Sequence, residues 1–266
     1  MSGALSCQVP FLLLHSAMLR AMRTAFGVMR SVRIYYGSRQ RSAAMAAFYS
    51  RFAKPRDLVF DVGAHVGDHI AAFRRLGARV VAVEPQPAAA RVLKILYGRD
   101  RNVVIEQTAV GRAAGTTALM INIDNPTIST ASADFIRAAG NAPGWEGEAW
   151  TNTISVPVTT IDALIARHGL PRFIKIDVEG FEAEALFGLT QPVPALSFEF
   201  TTLQREVAYA SIERCRALGF DRFNTALRDI KRFVHDDWID HKAVAAWLAA
   251  LPDAANSGDI YALHSS

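Results

Sequence analysis

The stretch Leu58-Val59-Phe60-Asp61-Val62-Gly63-Ala64-His65-Val66-Gly67-Asp68 constrains this chain more than any other. Leu58 to Val62 is apolar except for Asp61, too short for a helix, and rich in β-branched and aromatic residues, so it reads as a buried strand. The chain breaks at Gly63 and again at Gly67, and Asp68 leads into a run with helical apolar spacing (Ile70, Ala71, Phe73, Leu76). Strand, glycine turn and helix start are expected to aim backbone N–H groups outward and to let a ligand approach the main chain closely. Asp61 adds a charged acceptor beside that turn.

The same alternation repeats along the chain. Residues 79–84 form a second apolar strand that Pro85 stops, a helix follows over residues 87–97, and residues 103–107 form a third strand. Such repeats with right-handed crossovers predict a mostly parallel sheet with helices on both faces. Further strands are expected at residues 116–123, 154–158, 173–178, 195–200, 220–224 and 259–263. Helices are expected over 161–168, capped by Thr160, and over 182–187 and 203–218. Residues 124–151 are polar and irregular, with Pro126, Pro143, Gly140, Gly144 and Gly147, yet they hold Trp145 and Trp150, which favours a lid or partner surface. Residues 226–257 read as an insert whose helix starts near Asp236-Asp237. The expected division is an N-terminal basic helical arm, residues 1–50, followed by one domain, residues 51–266.

Composition narrows the class. At 266 residues and 51% hydrophobic, the chain can bury one large α/β core. No apolar run reaches the ~18 residues that span a bilayer. Cys7 and Cys215 make no disulfide framework, and no Cys/His cluster has zinc-finger spacing, so a reducing, cytoplasmic setting is expected. The net charge of +4 is unevenly spread: up to Arg56 there are nine basic residues and no acid, which leaves 20 basic and 25 acidic residues for the remainder. Residues 11–14 are apolar, but no Lys or Arg precedes them, which argues against a signal peptide. Met18, Met22, Phe26 and Met29 follow at helical spacing with arginines between them. A basic amphipathic helix of this kind suits peripheral contact with a membrane or a nucleic acid. The plainer expectation is a helix packed across the domain with its arginines in water.

Two spacings set the ligand class. A dinucleotide site would show G-x-G-x-x-G, whose middle glycine lets the backbone meet a pyrophosphate, whereas here only Gly63 and Gly67 fit, as G-x-x-x-G. No Gly-Lys-Ser/Thr follows, so a P-loop is excluded. Fewer glycines with an acid alongside suit a ligand that carries positive charge and no phosphate. Glu84 stands 23 residues after Asp61, at the tip of the second strand, where an acid accepts two hydrogen bonds from a ribose diol. Ribose without phosphate, beside an acid and a cationic group, describes S-adenosyl-L-methionine.

The segments Phe60-Asp61-Val62-Gly63-Ala64-His65-Val66-Gly67, Val83-Glu84-Pro85, Ala109-Val110-Gly111, Val158-Thr159-Thr160-Ile161-Asp162, Ile174-Lys175-Ile176-Asp177-Val178-Glu179-Gly180-Phe181-Glu182 and Gly258-Asp259-Ile260-Tyr261-Ala262-Leu263 together resemble the FkbM family of S-adenosylmethionine-dependent methyltransferases. The resemblance implies a class I, Rossmann-like α/β fold with a seven-stranded sheet and, commonly, O-methylation of sugar or polyketide hydroxyls. By matching position, Asp61, Gly63, Ala64, His65 and Gly67 would hold the methionine end of the cofactor. Glu84, with Pro85 beside it, would take the ribose, and Thr108 and Ala109 would lie near the adenine. The family often has Asn in place of His65 and Thr108.

Methyl transfer from a sulfonium is an in-line displacement, so catalysis is mostly positioning. An alcohol acceptor must also lose its proton to a base or a divalent metal. Asp177, Glu179 and Glu199 end the fourth and fifth parallel strands, at the sheet edge where open α/β folds bind ligands. Asp177 or Glu179 could act as base, Asp177 and Glu199 could hold Mg²⁺, or Glu179 could simply cap the next helix. Lys175, inside an apolar strand, is expected to pair with an acid on a neighbouring strand. His65 and His69 fit packing or surface roles better than ligand contact.

The favoured function is O-methylation of a hydroxyl on a sugar, glycan or polyketide-like small molecule. The rivals are an RNA or protein methyltransferase using the basic arm, a nicotinamide oxidoreductase, and a non-catalytic cofactor-binding partner. The missing third glycine disfavours the oxidoreductase, and the retained cofactor acids disfavour the silent partner. No Asn/Asp-Pro-Pro-Tyr/Phe segment ends strand four, which weighs against methylation of exocyclic amines. No DNA partner is expected, and homo-oligomerisation is left open.

Overall fold

A computed structural model describes residues 26–34, 36–228 and 231–265. Met18 and Met22 of the expected N-terminal stripe lie outside the described residues. Residues 26–34 are helical and precede α1 (Arg39–Tyr49), where the Ser38 side chain accepts from the Arg41 N–H and caps the helix start. The chain then alternates β1 (Leu58–Val62), α2 (Asp68–Arg75), β2 (Arg79–Val83), α3 (Pro87–Tyr97) and β3 (Val103–Glu106). A detour follows through β4 (Ala109–Val110), β5 (Gly115–Ile121), α4 (Ala133–Ala139) and β6 (Asn152–Thr159). The remainder runs α5 (Ile161–His168), β7 (Phe173–Ile176), α6 (Glu182–Phe187), β8 (Ala195–Thr201), α7 (Arg205–Ala217), β9 (Phe220–Leu227), α8 (His241–Ala250) and β10 (Ser257–His264).

Seven strands form one sheet in the order β3-β2-β1-β7-β8-β10-β9. The first five pair in parallel, and β10 lies antiparallel between β8 and β9. This is the mostly parallel sheet that the alternation predicts, with the seven strands that the resemblance implies. From β1 the chain winds outward through β2 to β3, and from β7 it winds outward the other way. The direction reverses between β1 and β7, which opens a crevice at the C-terminal ends of those strands.

Side chains alternate across the sheet with a period of two. Phe60, Val62, Ile174, Ile176, Leu196 and Phe198 pack on one face against α5, α6 and α7. Val59, Phe173, Ala195 and Tyr261 pack on the other, under α1, α2 and α3. Both faces are dry, which is why these strands read as near-continuous apolar runs. Helix α1 lies within the 1–50 stretch expected to be an arm, yet its Met45, Phe48 and Tyr49 are buried in that second layer.

A second sheet, in the order β4-β6-β5, encloses its own small core of Leu119, Ile121, Ile123 and Val156. Residues 124–151 are more ordered than their composition suggests. Thr130 bridges Met120, Ser132 caps α4, and the buried Phe135 ring meets Trp145 and Trp150 edge-on. Three aromatic rings give a polar segment its own anchor. The insert helix α8 begins at His241 with Asp240 as cap, later than the Asp236-Asp237 start expected. Ile239 first bridges Phe223 as a strand residue, which postpones the helix. Among the described residues no helix is long and apolar enough to cross a membrane.

Candidate active site

A cavity of about 390 Å³ opens at the switch point between β1 and β7. Gly63, His65, Glu84, Pro85, Thr108 and Ala109 line it, as do Asp177, Glu179 and Glu199. Asp61, Ala64 and Gly67 do not line it. Gly67 (φ +89°) turns the chain into α2, and a Cβ there would press on Leu93 and Tyr97. Gly63 (φ +84°) lets the tips of β1 and β7 touch, since a Cβ there would overlap the Asp177 carbonyl.

The glycine turn does not present its N–H groups to the cavity, contrary to the sequence-based expectation. The Gly63 and Ala64 N–H groups donate to the Val83 carbonyl at 2.9 and 3.0 Å, and the Gly67 N–H donates to the Ala64 carbonyl at 2.7 Å. The His65 N–H donates to Glu84 Oε2 at 2.8 Å. With its donors spent internally, this wall offers acceptors, which suits a ligand that donates hydrogen bonds and disfavours a phosphate. His65 itself sits at φ +44° with Nε2 3.4 Å from Thr127 Oγ1, and burial lowers its pKa to about 4.

Glu84 is the central acceptor. Its second oxygen takes the Gln86 N–H at 2.7 Å, so each oxygen keeps a lone pair for a ligand hydroxyl. Burial lifts its pKa to about 7 against the pull of those two N–H groups. Asp61 lies beneath the cavity floor, 1% exposed, with neither oxygen hydrogen-bonded. Burial raises it to about 6, opposed by nearby His69 and Lys175. Thr108 lines the cavity and donates its hydroxyl to the Pro157 carbonyl at 2.8 Å. Gln86, which sequence reasoning missed, also lines the cavity: its amide nitrogen donates to Ser129 Oγ at 3.0 Å, and its buried Oε1 has no partner.

The opposite wall is acidic. Lys175 is 2% exposed, and its Nζ lies 2.6 Å from Asp177 Oδ2. Its hydrogen-bonded partner is therefore Asp177, two residues on and just past the end of β7, and not an acid on a neighbouring strand. The Lys175 ammonium holds Asp177 below the usual carboxylate range against its burial. Burial and the facing acids push Glu179 and Glu199 well above that range. One oxygen from each of the three lies within 4.8 Å of the others, and Glu199 Oε2 has no hydrogen-bond partner. Glu179 does not cap α6. The N-cap residue Phe181 makes no side-chain cap hydrogen bond, and Glu182 Oε1 instead accepts the Val178 and Gly180 N–H groups of the preceding loop at 3.0 and 3.2 Å. Glu179 instead sits at φ +55°, its carbonyl held by the Thr130 hydroxyl at 2.6 Å.

A third wall comes from the chain around β9 and β10, to which the sequence assigned no site role. Lys231 approaches Asp259 at 3.4 Å, and Arg228 reaches the Ala254 carbonyl at 2.9 Å. Arg228 (φ +50°) and Asn256 (φ +69°) both line the cavity. Of the five described non-glycine residues at positive φ, only Arg56 lies away from it. Backbone strain of this kind costs about 1–3 kcal/mol per residue and collects where a site demands a fixed geometry.

Residues 61–247 match the Methyltransferase FkbM domain. The chain belongs to the FkbM methyltransferase family. None of the curated proteins matches it. Solved structures similar to this FkbM methyltransferase include precorrin-6y C5,15-methyltransferase from Geobacter metallireducens, at 14% identity and TM-score 0.40 over 84% of this chain and 87% of that one. A SAM-dependent O-methyltransferase from Thermotoga maritima matches at 11% identity and TM-score 0.41, over 86% of this chain and 66% of that one. Fibrillarin from Aeropyrum pernix, in complex with natively bound S-adenosyl-L-methionine, matches at 10% identity and TM-score 0.40, over 79% and 67%.

S-adenosylmethionine suits the residues this FkbM methyltransferase brings together. Its adenine amine, ribose hydroxyls and ammonium are donors and its sulfur is cationic, and the cavity answers with the orphaned Gln86 carbonyl and the lone pairs of Glu84. A divalent metal suits them less well. Of the three acids that would hold it, Asp177 already carries the Lys175 ammonium on one oxygen.

Proposed function

We propose that this FkbM methyltransferase moves a methyl group from S-adenosylmethionine to a hydroxyl of a sugar, glycan or polyketide-like small molecule. One observation carries the reading: a wall of hydrogen-bond acceptors and a trio of clustered acids face one cavity at the sheet's switch point. The bound cofactor supplies a sulfonium methyl for in-line displacement. The chain supplies position and a sink for the proton.

Glu84 accepts the ribose hydroxyls, and Gln86 Oε1 accepts the adenine amine in place of Thr108. Asp61 contributes negative charge from below the floor, toward the cationic end of the cofactor. Asp177, kept ionised by Lys175, accepts a hydrogen bond from the acceptor hydroxyl and orients it. One proton leaves the hydroxyl as the oxygen attacks, and the ionised form of either Glu179 or Glu199, whose proton affinity burial and the facing acids raise, takes it. A general base on this scale contributes roughly 10²–10⁴-fold. Proton removal by carboxylates leaves no requirement for Mg²⁺.

A labelled-methyl transfer screen across sugars, glycolipids, polyketides, protein and RNA, with and without EDTA, tests this. The expected result is transfer to a hydroxyl compound that EDTA leaves unchanged. Transfer confined to RNA or protein contradicts the acceptor class. Loss in EDTA with rescue by Mg²⁺ would make the acid trio a metal site.

A further inference from the structure

Helical residues 26–34 turn their faces the opposite way from the expected packing. Phe26, Met29, Arg30, Arg33 and Ile34 are all exposed. Relative to Phe26 they fall at steps of three, four, seven and eight, which is one face of a helix. Phe26 is 77%, Met29 61% and Ile34 55% exposed. The packed face is instead built from Gly27, Val28 and Ser31, with the last two buried. Gly27 rests against the Pro126 ring and the Ile123 carbonyl so closely that a Cβ would not fit. The apolar stripe that the spacing of Phe26 and Met29 predicts for the core is thus left in solvent, with two arginines interleaved.

We propose that this face is a docking surface for an anionic lipid bilayer. Charge selects that occupant: the chain up to Arg56 carries nine basic residues and no acid. Apolar chemistry separates a bilayer from a nucleic acid. A phosphate backbone would engage the arginines and leave Met29 and Ile34 in water, whereas a lipid interface takes both kinds of side chain. The position gives the surface a use. Pro126, on which Gly27 rests, lines the cavity with Thr127 and Ser129, so the docked helix stands on the cavity wall. At its far end the Tyr36 hydroxyl bonds the Tyr97 hydroxyl at 2.6 Å, and the chain neighbours of Tyr97, Leu96 and Ile95, are exposed as well.

The test is sedimentation of the full chain with vesicles of phosphatidylcholine alone and of phosphatidylcholine with about one third phosphatidylglycerol. Binding is expected to the second kind and to weaken with salt. Replacing both arginines (Arg30→Gln with Arg33→Gln) should cost about 30-fold in vesicle affinity, since each contributes roughly one further factor of five to six at an anionic surface. The triple variant Phe26→Ser, Met29→Ser, Ile34→Ser should lose at least about tenfold. Both variants should bind S-adenosylhomocysteine as the parent chain does, which shows that they are folded. Absence of binding to the anionic vesicles overturns the proposal, as does binding that the triple variant leaves unchanged. A dimer that the triple variant dissolves would give the face to a second copy instead. Vesicle binding is read without methyl transfer, so this inference and the catalytic reading fail separately.

Discussion

At the scale of single residues, the site is a set of acids that burial has made reluctant to ionise. Asp61 shows the consequence most plainly. Its folded pKa of about 6 lies above its ordinary 3.8, so the unfolded chain gives up this proton first. The folded state therefore loses stability as pH rises from about 4 to about 6, and the loss persists above that. Asp61→Asn should accordingly stabilise the cofactor-free protein at pH 8 by an amount of order 2–3 kcal/mol, read as a higher melting temperature. The gain should fade below pH 4, and a gain that is flat with pH would contradict the assignment. Asp177 behaves in the opposite sense. Asp177→Asn removes the hydrogen-bonded carboxylate from the buried Lys175 ammonium and leaves it only the longer-range pull of Asp259 and Asp61, at a cost of about 3 kcal/mol. The double variant Lys175→Met with Asp177→Asn should recover most of that stability in urea melts but not the turnover. Recovery of both would make Asp177 a purely structural partner. That Asp177, Glu179, Glu199 and Glu84 line one cavity was legible in the sequence because each stands at the tip of an apolar strand, at the sheet edge where ligands bind. Gln86 and Asn256 were not, because their significance lies in neighbours that the chain supplies from far away, such as Ser129 for Gln86.

At the scale of elements, the parallel strands and their helices follow from alternation and apolar runs, and most bounds agree within two or three residues. The exceptions share a cause. Helix α8 starts late because Ile239 has a pairing partner in Phe223, and residues 124–151 are ordered because three aromatic rings find one another. Long-range contacts of this kind leave no local signal. Helix α1 is the consequential case. Its Phe48 ring stands edge-on to Tyr261 at 5.3 Å, and Tyr49 tilts over Phe173 at 5.8 Å. A chain beginning at Ser38 should therefore melt within a few degrees of the full protein, whereas one beginning at Arg51 should fail to fold. Removing a buried aromatic ring alone costs about 3–5 kcal/mol, and α1 carries two. Equal circular dichroism melts for the two truncations would contradict this. The segment proposed to dock on a membrane accordingly precedes α1, whose rings belong to the core.

At the scale of the whole molecule, the sheet reverses between β1 and β7, and that single topological feature brings three walls to one cavity. The glycine turn was read in the sequence as a donor of N–H groups. In the folded chain it spends them on Val83, Ala64 and Glu84 and becomes the frame of an acceptor surface. The ligand class inferred from the missing third glycine survives for a different physical reason. Titration calorimetry at pH 8 tests this most directly. S-adenosylhomocysteine should bind and NAD should not, and Glu84→Gln should weaken S-adenosylhomocysteine at least about tenfold, the value of a hydrogen bond to a charged group. At a hundredfold excess over its Kd the bound ligand should add about 2.7 kcal/mol to stability. Heat from NAD with none from S-adenosylhomocysteine, or undiminished binding by Glu84→Gln, would contradict the account.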